Sequence, residues 1–290
     1  MRLQLNCLKC LFDRHFQRVF AQPDREKAVD YMQEFCRIVG ELEPDAPAPL
    51  VAPQMNAVYD RLFGASDKYE KIKKRSNDYV EAKAESVANI IDRSQDPILT
   101  ALKYARVGNY IDYAALGDDV SDETLDGLLD TALSDDIDMD EYRRMMSDLE
   151  GAKSLVYITD NAGEIVLDRL LIERLLRRFP QLDITVAVRG FPIANDATRA
   201  DAAYVGLNRL VRVIDSGSPV AGTYLPDISD WLRELLEGAD VIIAKGQGNF
   251  ETMHGCGLNV YYVFLCKCEL FRTMFNVPQL TGMLVNENRI

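Results

Sequence analysis

An apolar segment runs directly into a polar turn in Leu155-Val156-Tyr157-Ile158-Thr159-Asp160-Asn161-Ala162-Gly163-Glu164. Its β-branched and aromatic residues predict a strand, and the apolar spacing that follows predicts an amphipathic helix. Ligands of parallel α/β sheets bind beyond the carboxyl ends of the strands. Asp160 and Asn161 stand at such an end and offer adjacent oxygen ligands to a cation. This stretch therefore predicts both the fold class and the place of the site.

The same strand-then-polar-turn pattern recurs twice downstream. Ile184 to Val188 leads into Arg189-Gly190-Phe191-Pro192-Ile193-Ala194-Asn195-Asp196, and Val241 to Ala244 leads into Lys245-Gly246-Gln247-Gly248-Asn249. The sequence also predicts two more strands and three helices between the strands, at 211–214 and 261–266 and at 165–178, 196–205 and 229–236. Such alternation is typical of a mostly parallel sheet with helices on both faces. Three strand ends are therefore expected to meet at one site.

The first half of the chain predicts helices only. Apolar residues recur at three- and four-residue spacings, and proline-containing breaks separate the segments. We expect helices at 10–21, 25–39, 53–63, 66–77 and 77–93. From Asp118 to Glu141 there are acids and no bases, which indicates a solvated helix face behind the leucines at 125, 128, 129 and 133. We predict a helical bundle or cap over residues 1–150 and an α/β domain over residues 151–290.

The composition of the chain limits the classes of molecule that it is expected to bind. The chain has 290 residues, 48% hydrophobic and 27% charged, which is typical of a folded globular protein. Its net charge of -13 disfavours nucleic acid and anionic membrane as partners, because both require a basic face. No apolar segment approaches the ~20 residues that span a bilayer, and the start lacks the apolar region of a signal peptide. We expect a cytoplasmic protein.

The three strand ends carry candidate metal ligands. Asp160 and Asp196 supply carboxylates and Asn161 an amide oxygen, a set that suits Mg²⁺ or Mn²⁺ with water in the remaining positions. Such a cation polarises a phosphoryl oxygen and activates water for hydrolysis. Glu164 begins the following helix, where it either orients a ligand or that water, or simply complements the helix N-terminus.

The third strand end carries candidate phosphate ligands. Lys245 is a cation, and Gly246 and Gly248 let backbone N–H groups approach an anion, with Asn249 beside them. A tight turn alone also explains both glycines. Arg189 has the same strand-end placement and is either a second phosphate anchor or a solvent-facing charge.

Polar residues in the helical half are further candidates. Gly108-Asn109-Tyr110-Ile111-Asp112 interrupts a helical pattern, and Asn109 and Asp112 are predicted to face the substrate. The same stretch also has the composition of a helix C-terminus and turn.

The cysteines form a separate feature. Cys7 and Cys10 make a C-x-x-C motif, with Cys266 or Cys268 as distant partners. These thiols are either buried small apolar groups or a structural metal or thiol cluster. We expect a structural role, because no histidine or carboxylate motif beside the cysteines suggests thiol activation and the acidic chain offers few cations to lower their pKa.

These motifs together resemble the DUF89 family of metal-dependent damage-control phosphatases, most closely its prokaryotic branch with an N-terminal C-x-x-C. The order and spacing of the motifs carry the resemblance, which spans nearly the whole chain. They are Cys7-Leu8-Lys9-Cys10, Gly108-Asn109-Tyr110-Ile111-Asp112, Asp160-Asn161-Ala162-Gly163-Glu164, Asn195-Asp196-Ala197-Thr198, Lys245-Gly246-Gln247-Gly248-Asn249-Phe250-Glu251 and Lys267-Cys268.

The resemblance implies an N-terminal helical region on a Rossmann-like three-layer α/β/α core. It implies a divalent metal, Mn²⁺, Co²⁺, Ni²⁺ or Mg²⁺, held at Asp160, Asn161 and Asp196. It also implies hydrolysis of phosphate monoesters of small metabolites, such as sugar phosphates or damaged phosphometabolites. Cys266-Lys267-Cys268 departs from the family pattern, which usually has one cysteine there, and leaves the partner of the C-x-x-C motif open.

Other functions are weighed against this one. A haloacid-dehalogenase phosphatase needs a second aspartate two residues after Asp160, where this chain has Ala162. The two histidines, His15 and His254, lack the spacing of a zinc motif. An S-adenosylmethionine-dependent carboxyl methyltransferase, which would not need Asp196 or Lys245, and a phosphometabolite-binding protein without turnover remain alternatives.

Overall fold

Several helices in the helical half of the computed structural model begin directly after a residue that caps them. The structure describes residues 1–65, 68–112, 121–134 and 136–290. Asp24 and Asp96, for example, each precede a helix and accept a hydrogen bond from a backbone N–H of its first turn. The helices are α1 (Leu5–Phe20), α2 (Arg25–Gly40), α3 (Val51–Phe63), α4 (Lys68–Arg93), α5 (Pro97–Gly108), α6 (Asp122–Thr131) and α7 (Met139–Gly151).

The second half forms one six-stranded sheet. Its strand order is β3-β2-β1-β4-β5-β6, and only β6 runs antiparallel to its neighbour. The strands are β1 (Ser154–Ile158), β2 (Asp183–Val188), β3 (Arg212–Asp215), β4 (Val241–Lys245), β5 (Val260–Leu265) and β6 (Gly282–Asn286). The helices between them are α8 (Glu164–Arg178), α9 (Arg199–Tyr204), α10 (Asp230–Glu237), α11 (Gln247–Met253) and α12 (Glu269–Phe275).

Helices cover both faces of the sheet, as the apolar strands require. Alternate residues of β1 enter different apolar clusters: Leu155 and Tyr157 pack with α4, α5 and α8, whereas Val156 and Ile158 pack with α10, α11 and α12. The predicted three-layer α/β/α fold with a mostly parallel sheet is therefore confirmed.

The apolar core extends across the predicted boundary at residue 150. One cluster joins helix residues such as Val80 and Leu102 to sheet residues such as Tyr157 and Leu284. Helices α1 to α3 instead have a cluster of their own, which includes Tyr31 and Met55. We call this part, residues 5–63, the N-terminal lobe. Helices α4 to α7 thus belong to one layer of the α/β core.

The structure differs from the predicted elements in several places. A single helix, α4, replaces the two predicted at 66–77 and 77–93, of which residues 66 and 67 lie outside the described part. Helix α9 begins at Arg199 instead of Asp196, because Asp196 pairs with Asn161 in an isolated β-bridge. The sequence patterns did not predict β6, α7, α11 or α12.

The predicted helix among the acidic residues is present as α6, in which Leu125 and Leu129 are buried. Asp118, Asp119 and Asp135 lie outside the described residues. Within the described ranges, no helix has the length and apolar character needed to cross a bilayer.

Candidate metal centre

Strand order brings the polar turns together at one edge of the sheet. β1 lies between β2 and β4, and all three run parallel, so their carboxyl ends share that edge. The strand order reverses direction between β1 and β4, which is where ligands bind in open α/β sheets. The predicted convergence of three strand ends is therefore present.

Backbone hydrogen bonds lock the turn after β1 to the turn after β2. Ala162 N donates to Asn195 O at 2.8 Å, and Ala197 N donates to Asp160 O at 2.7 Å. Asn161 and Asp196 form a β-bridge between these bonds. Asp160, Asn161 and Asp196, the predicted ligands, are consequently neighbours and are each less than 7% exposed.

Each predicted ligand keeps an oxygen that is free or weakly engaged within the described residues. Asn161 Nδ2 donates to Asp160 Oδ2 at 2.7 Å and to Glu164 Oε2 at 3.1 Å, whereas no hydrogen bond within the described ranges engages its Oδ1. Asp196 uses Oδ2 for Arg189, and no hydrogen bond engages its Oδ1. Asp160 Oδ1 has only a long contact of 3.4 Å to Arg189.

Arg189 lies buried between the two aspartates. Its Nε donates to Asp196 Oδ2 at 2.6 Å, one terminal nitrogen to Asp160 Oδ1 at 3.4 Å, and the other to Asn249 Oδ1 at 3.3 Å. The side chain is 1% exposed. Of the two roles predicted from the sequence, the solvent-facing charge is thus wrong, and Arg189 holds the carboxylates of the two predicted ligands in place.

Lys245 is fully buried and donates to three oxygens. Nζ lies 2.6 Å from Glu164 Oε1, 2.6 Å from Asp168 Oδ1 and 2.8 Å from Ala105 O. Burial lowers the pKa of Lys245, but the Asp168 and Glu164 carboxylates outweigh that effect and hold the pKa above its usual value. An ammonium has three hydrogens. In this arrangement, therefore, Lys245 secures carboxylates and has no hydrogen left for the phosphate contact expected from the sequence.

Two asparagines tie the turns to their surroundings. Asn109 Nδ2 donates to Asp160 Oδ2 at 2.9 Å and to Glu164 Oε2 at 3.1 Å, and its Oδ1 accepts from Leu265 N. Asn249 Nδ2 donates to Lys245 O at 2.6 Å, and its Oδ1 accepts from Thr223 and Arg189. Both are completely buried. The bonds that the structure shows for them support the site from inside the protein.

Gly246 permits the close approach of the Asp160 carboxylate. A Cβ on Gly246 would lie 2.0 Å from Asp160 Oδ2, and the backbone has φ +81°. Its N–H donates to Val263 O. Gly248 lies in the first turn of α11, so the predicted anion-binding loop after β4 is the start of a short helix.

Asp112 and Lys267 form a further ion pair at the site. Lys267 Nζ donates to Asp112 Oδ2 at 2.7 Å, and both side chains are mostly buried, at 1% and 12% exposure. The negative charge of Asp112 raises the pKa of both Asp160 and Asp196, after the larger effect of burial. Asp112 therefore belongs to the electrostatic environment of the predicted ligands.

The buried charges of the site do not balance. Among the described residues, the carboxylates of Asp160, Glu164, Asp168 and Asp196 outnumber the cationic groups of Arg189 and Lys245, with which they pair, by two. Burial and then repulsion from Asp196 raise the pKa of Asp160 well above its usual value, whereas Arg189 only partly opposes this. A divalent cation would neutralise that excess.

The donor set fits such a cation. Two carboxylates and an amide oxygen are hard ligands, which suit Mg²⁺ or Mn²⁺. No group of three His, Cys, Asp or Glu side chains in the described part of the chain forms a metal site by itself. The predicted set contains only two side chains of those types, Asp160 and Asp196, and its third ligand is Asn161.

Sequence reasoning missed several supporting residues. Asp168 follows Glu164 by four residues on α8, so helical spacing alone places it on the same face. Asn77, on α4, accepts from Gly163 N at 2.6 Å. Thr223 lies far from the site along the chain. Neither Asn77 nor Thr223 carries a local signal, because each reaches the site only through the tertiary fold.

Comparison with known proteins agrees with this architecture. The model of the damage-control phosphatase ARMT1-like domain matches residues 3–281. A damage-control phosphatase of Archaeoglobus fulgidus is 30% identical over 274 residues, which are 93% of each chain. A damage-control phosphatase of Pyrococcus horikoshii is 30% identical over 292 residues, which are 98% of this chain and 97% of that one.

A solved structure extends the similarity to three dimensions. The crystal structure of a DUF89 family protein from Pyrococcus horikoshii superposes with a TM-score of 0.81, at 29% identity and with 99% of both chains covered. The resemblance inferred from the motifs is confirmed, while the branch with an N-terminal C-x-x-C stays a prediction. The chain therefore belongs to the damage-control phosphatase ARMT1-like family of DUF89 proteins.

Proposed function

We propose that this protein is a metal-dependent phosphatase that hydrolyses phosphate monoesters of small metabolites, such as sugar phosphates or damaged phosphometabolites. Membership of a family whose relatives are named damage-control phosphatases supports a phosphatase role in general. The metal requirement and the substrate class are the proposal.

One observation carries the metal requirement. Asp160, Asn161 and Asp196 lie together at a strand-order reversal, each with an oxygen that is free or weakly engaged in the described structure. The buried carboxylates around them exceed the buried cations. We expect Mn²⁺, Co²⁺, Ni²⁺ or Mg²⁺ to bind there, since all accept oxygen ligands and water.

A cation bound there would supply Lewis-acid activation of the phosphoryl group and of the attacking water. The residues of the chain keep the ligands in place. Arg189 donates to both Asp160 and Asp196 and so reduces the repulsion between their carboxylates. Glu164 accepts a hydrogen bond from the Asn161 amide and keeps it in place. Because these contacts exist before substrate arrives, little reorganisation is needed in the transition state.

Metal dependence is tested by removal and return of the cation. The protein is stripped with EDTA, dialysed, and assayed on an aryl phosphate and a panel of sugar phosphates, with and without each of the four cations. We expect turnover only after a cation is restored. Undiminished turnover of the stripped protein would rule out the metal mechanism, and cation binding without turnover of any ester would favour a binding protein.

A further inference from the structure

A line of buried polar contacts lies behind the candidate metal ligands. Tyr157 Oη and Lys245 Nζ both donate to Asp168 Oδ1, at 2.7 Å and 2.6 Å. The same Nζ donates to Glu164 Oε1 at 2.6 Å, and Glu164 Oε2 accepts from Asn161 Nδ2 at 3.1 Å. Two intervening side chains therefore connect Asp168 to a candidate ligand.

The buried position of Asp168 destabilises the fold. The side chain is completely buried, and within the described residues its Oδ2 has no hydrogen-bond partner. It also shares one ammonium with Glu164, so two carboxylates face a single cation. A buried oxygen without a donor destabilises a fold, and such groups are retained where they serve a site.

We propose that Asp168 is a positioning residue of the cation site, an inference that rests on the proposed metal-dependent function. Asp168 competes with Glu164 for the Lys245 ammonium. Because two carboxylates share that one ammonium, a net negative charge remains behind Asn161. Glu164 then retains enough negative charge to hold the Asn161 amide nitrogen, which leaves Oδ1 available to the cation. Residues that orient metal ligands in this way commonly change metal affinity by roughly 10–100-fold when they are replaced.

Asp168→Asn tests the assignment, because it keeps the shape and removes the charge. We expect the Mn²⁺ dissociation constant, measured by electron paramagnetic resonance of free Mn²⁺, to rise about tenfold. The melting temperature of the metal-free protein should be unchanged or higher, since one carboxylate then faces one ammonium. A purely structural Asp168 gives the reverse pattern, with a lower melting temperature and unchanged Mn²⁺ affinity of the folded protein.

Tyr157→Phe is the matched control. It removes the other hydrogen bond to the same Oδ1 while leaving the Asp168 charge and its ion pair with Lys245. We expect its Mn²⁺ affinity to change less than about threefold. An equal loss of Mn²⁺ affinity in both variants would show that the packing around Asp168 matters and its charge does not. That result would overturn the inference.

Asp168→Ser keeps the inference testable if Asp168→Asn does not fold. It also removes the charge and leaves Lys245 paired with Glu164 alone, so we expect weaker Mn²⁺ binding by the folded protein. Unchanged affinity would contradict the inference. The two proposals fail separately: normal Mn²⁺ affinity in the Asp168 variants sinks only the inference, whereas wild-type protein that neither binds Mn²⁺ nor needs a cation sinks the proposed function.

Discussion

The N-terminal lobe and the candidate metal centre bury ionisable groups in opposite ways. In the lobe, His15 packs against Phe35 and bonds Tyr31 Oη at 2.7 Å, and burial lowers its pKa to about 3, so it is neutral. At the metal centre, Asp160 and Asp196 stay together although burial and mutual repulsion raise the pKa of Asp160. The lobe buries a neutral group, whereas the centre holds like charges that Arg189 offsets only in part. Loss of a carboxylate charge should therefore stabilise the metal-free centre, and protonation of His15 should destabilise the lobe.

The largest effect is expected from Asp160→Asn. The variant loses one charged ligand, so turnover should fall roughly a hundredfold or more, beyond the usual cost of an outer contact. Because the pKa of Asp160 is raised in the folded state, its ionised form destabilises the metal-free fold at neutral pH. The same variant should therefore melt higher without metal. Steady-state kinetics at saturating Mn²⁺ and calorimetry measure the two effects.

Asp183→Asn is the matched control for that substitution. Asp183 begins the neighbouring strand β2, but its side chain is 73% exposed and only weakly paired with Arg212. We expect neither turnover nor melting temperature to change. Near-normal turnover of Asp160→Asn at saturating metal would mean that Asp160 is not a ligand.

A second comparison uses two glycines with the same backbone conformation in the two regions. Gly246 has φ 81° and ψ 158°, and Gly64, at the end of the lobe, has φ 88° and ψ 154°. Alanine costs about 1–3 kcal/mol at either position, because side chains rarely adopt this conformation. At Gly246 the new Cβ would also displace Asp160, whereas it meets nothing within 4 Å at Gly64.

We therefore expect Gly246→Ala to lower turnover roughly tenfold to a hundredfold, since a displacement near 1 Å has that effect. Gly64→Ala should destabilise the protein and leave turnover per folded molecule intact. Both variants carry the same backbone strain, so the difference between their turnover rates measures the effect of the collision with the Asp160 carboxylate. Equal kinetic effects would show that Asp160 does not depend on Gly246.

Low pH should destabilise the N-terminal lobe and not the metal centre. Below pH 6.5 the unfolded state protonates His15 and the folded state does not until about pH 3, so stability is full above 6.5 and falls as pH decreases. The loss is about 1.4 kcal/mol per pH unit. The raised pKa of Asp160 has the opposite sign, so the metal-free sheet edge gains stability over the same fall in pH.

Hydrogen exchange at pH 7 and pH 5.5, corrected for intrinsic rates, separates the two regions. Amides of α1 and α2 should exchange faster at the lower pH, and those at the ends of β1 and β2 should not. In the double variant His15→Phe/Tyr31→Phe the acid response of the lobe should disappear. An unchanged response there would assign it to other groups.

The sequence predicts the fold more completely than it predicts which groups each side chain contacts. Periodicity and strand-end chemistry were sufficient for five of the six strands and for the neighbours Asp160, Asn161 and Asp196. The missed strand β6 pairs antiparallel at the sheet edge, and its residues show no clear alternation in burial. The contacts of Lys245 with Glu164 and Ala105 depend on how α5 and α8 pack on the sheet, which local patterns do not encode.

The smallest effect is expected from the C-x-x-C motif in the lobe. Cys7 is half-buried and Cys10 is exposed, and burial raises the pKa of the Cys7 thiol, which keeps it protonated and poorly reactive. Cys7→Ser/Cys10→Ser should lower the melting temperature by about 2–4 °C, the shift typical of 1 kcal/mol in a protein of this size. Turnover per folded molecule should stay unchanged after mutation and after mild oxidation. If oxidation instead abolished turnover reversibly, with thiols restoring it and the double variant resisting it, the lobe would contain a redox switch and would no longer be a purely structural counterpart to the metal centre.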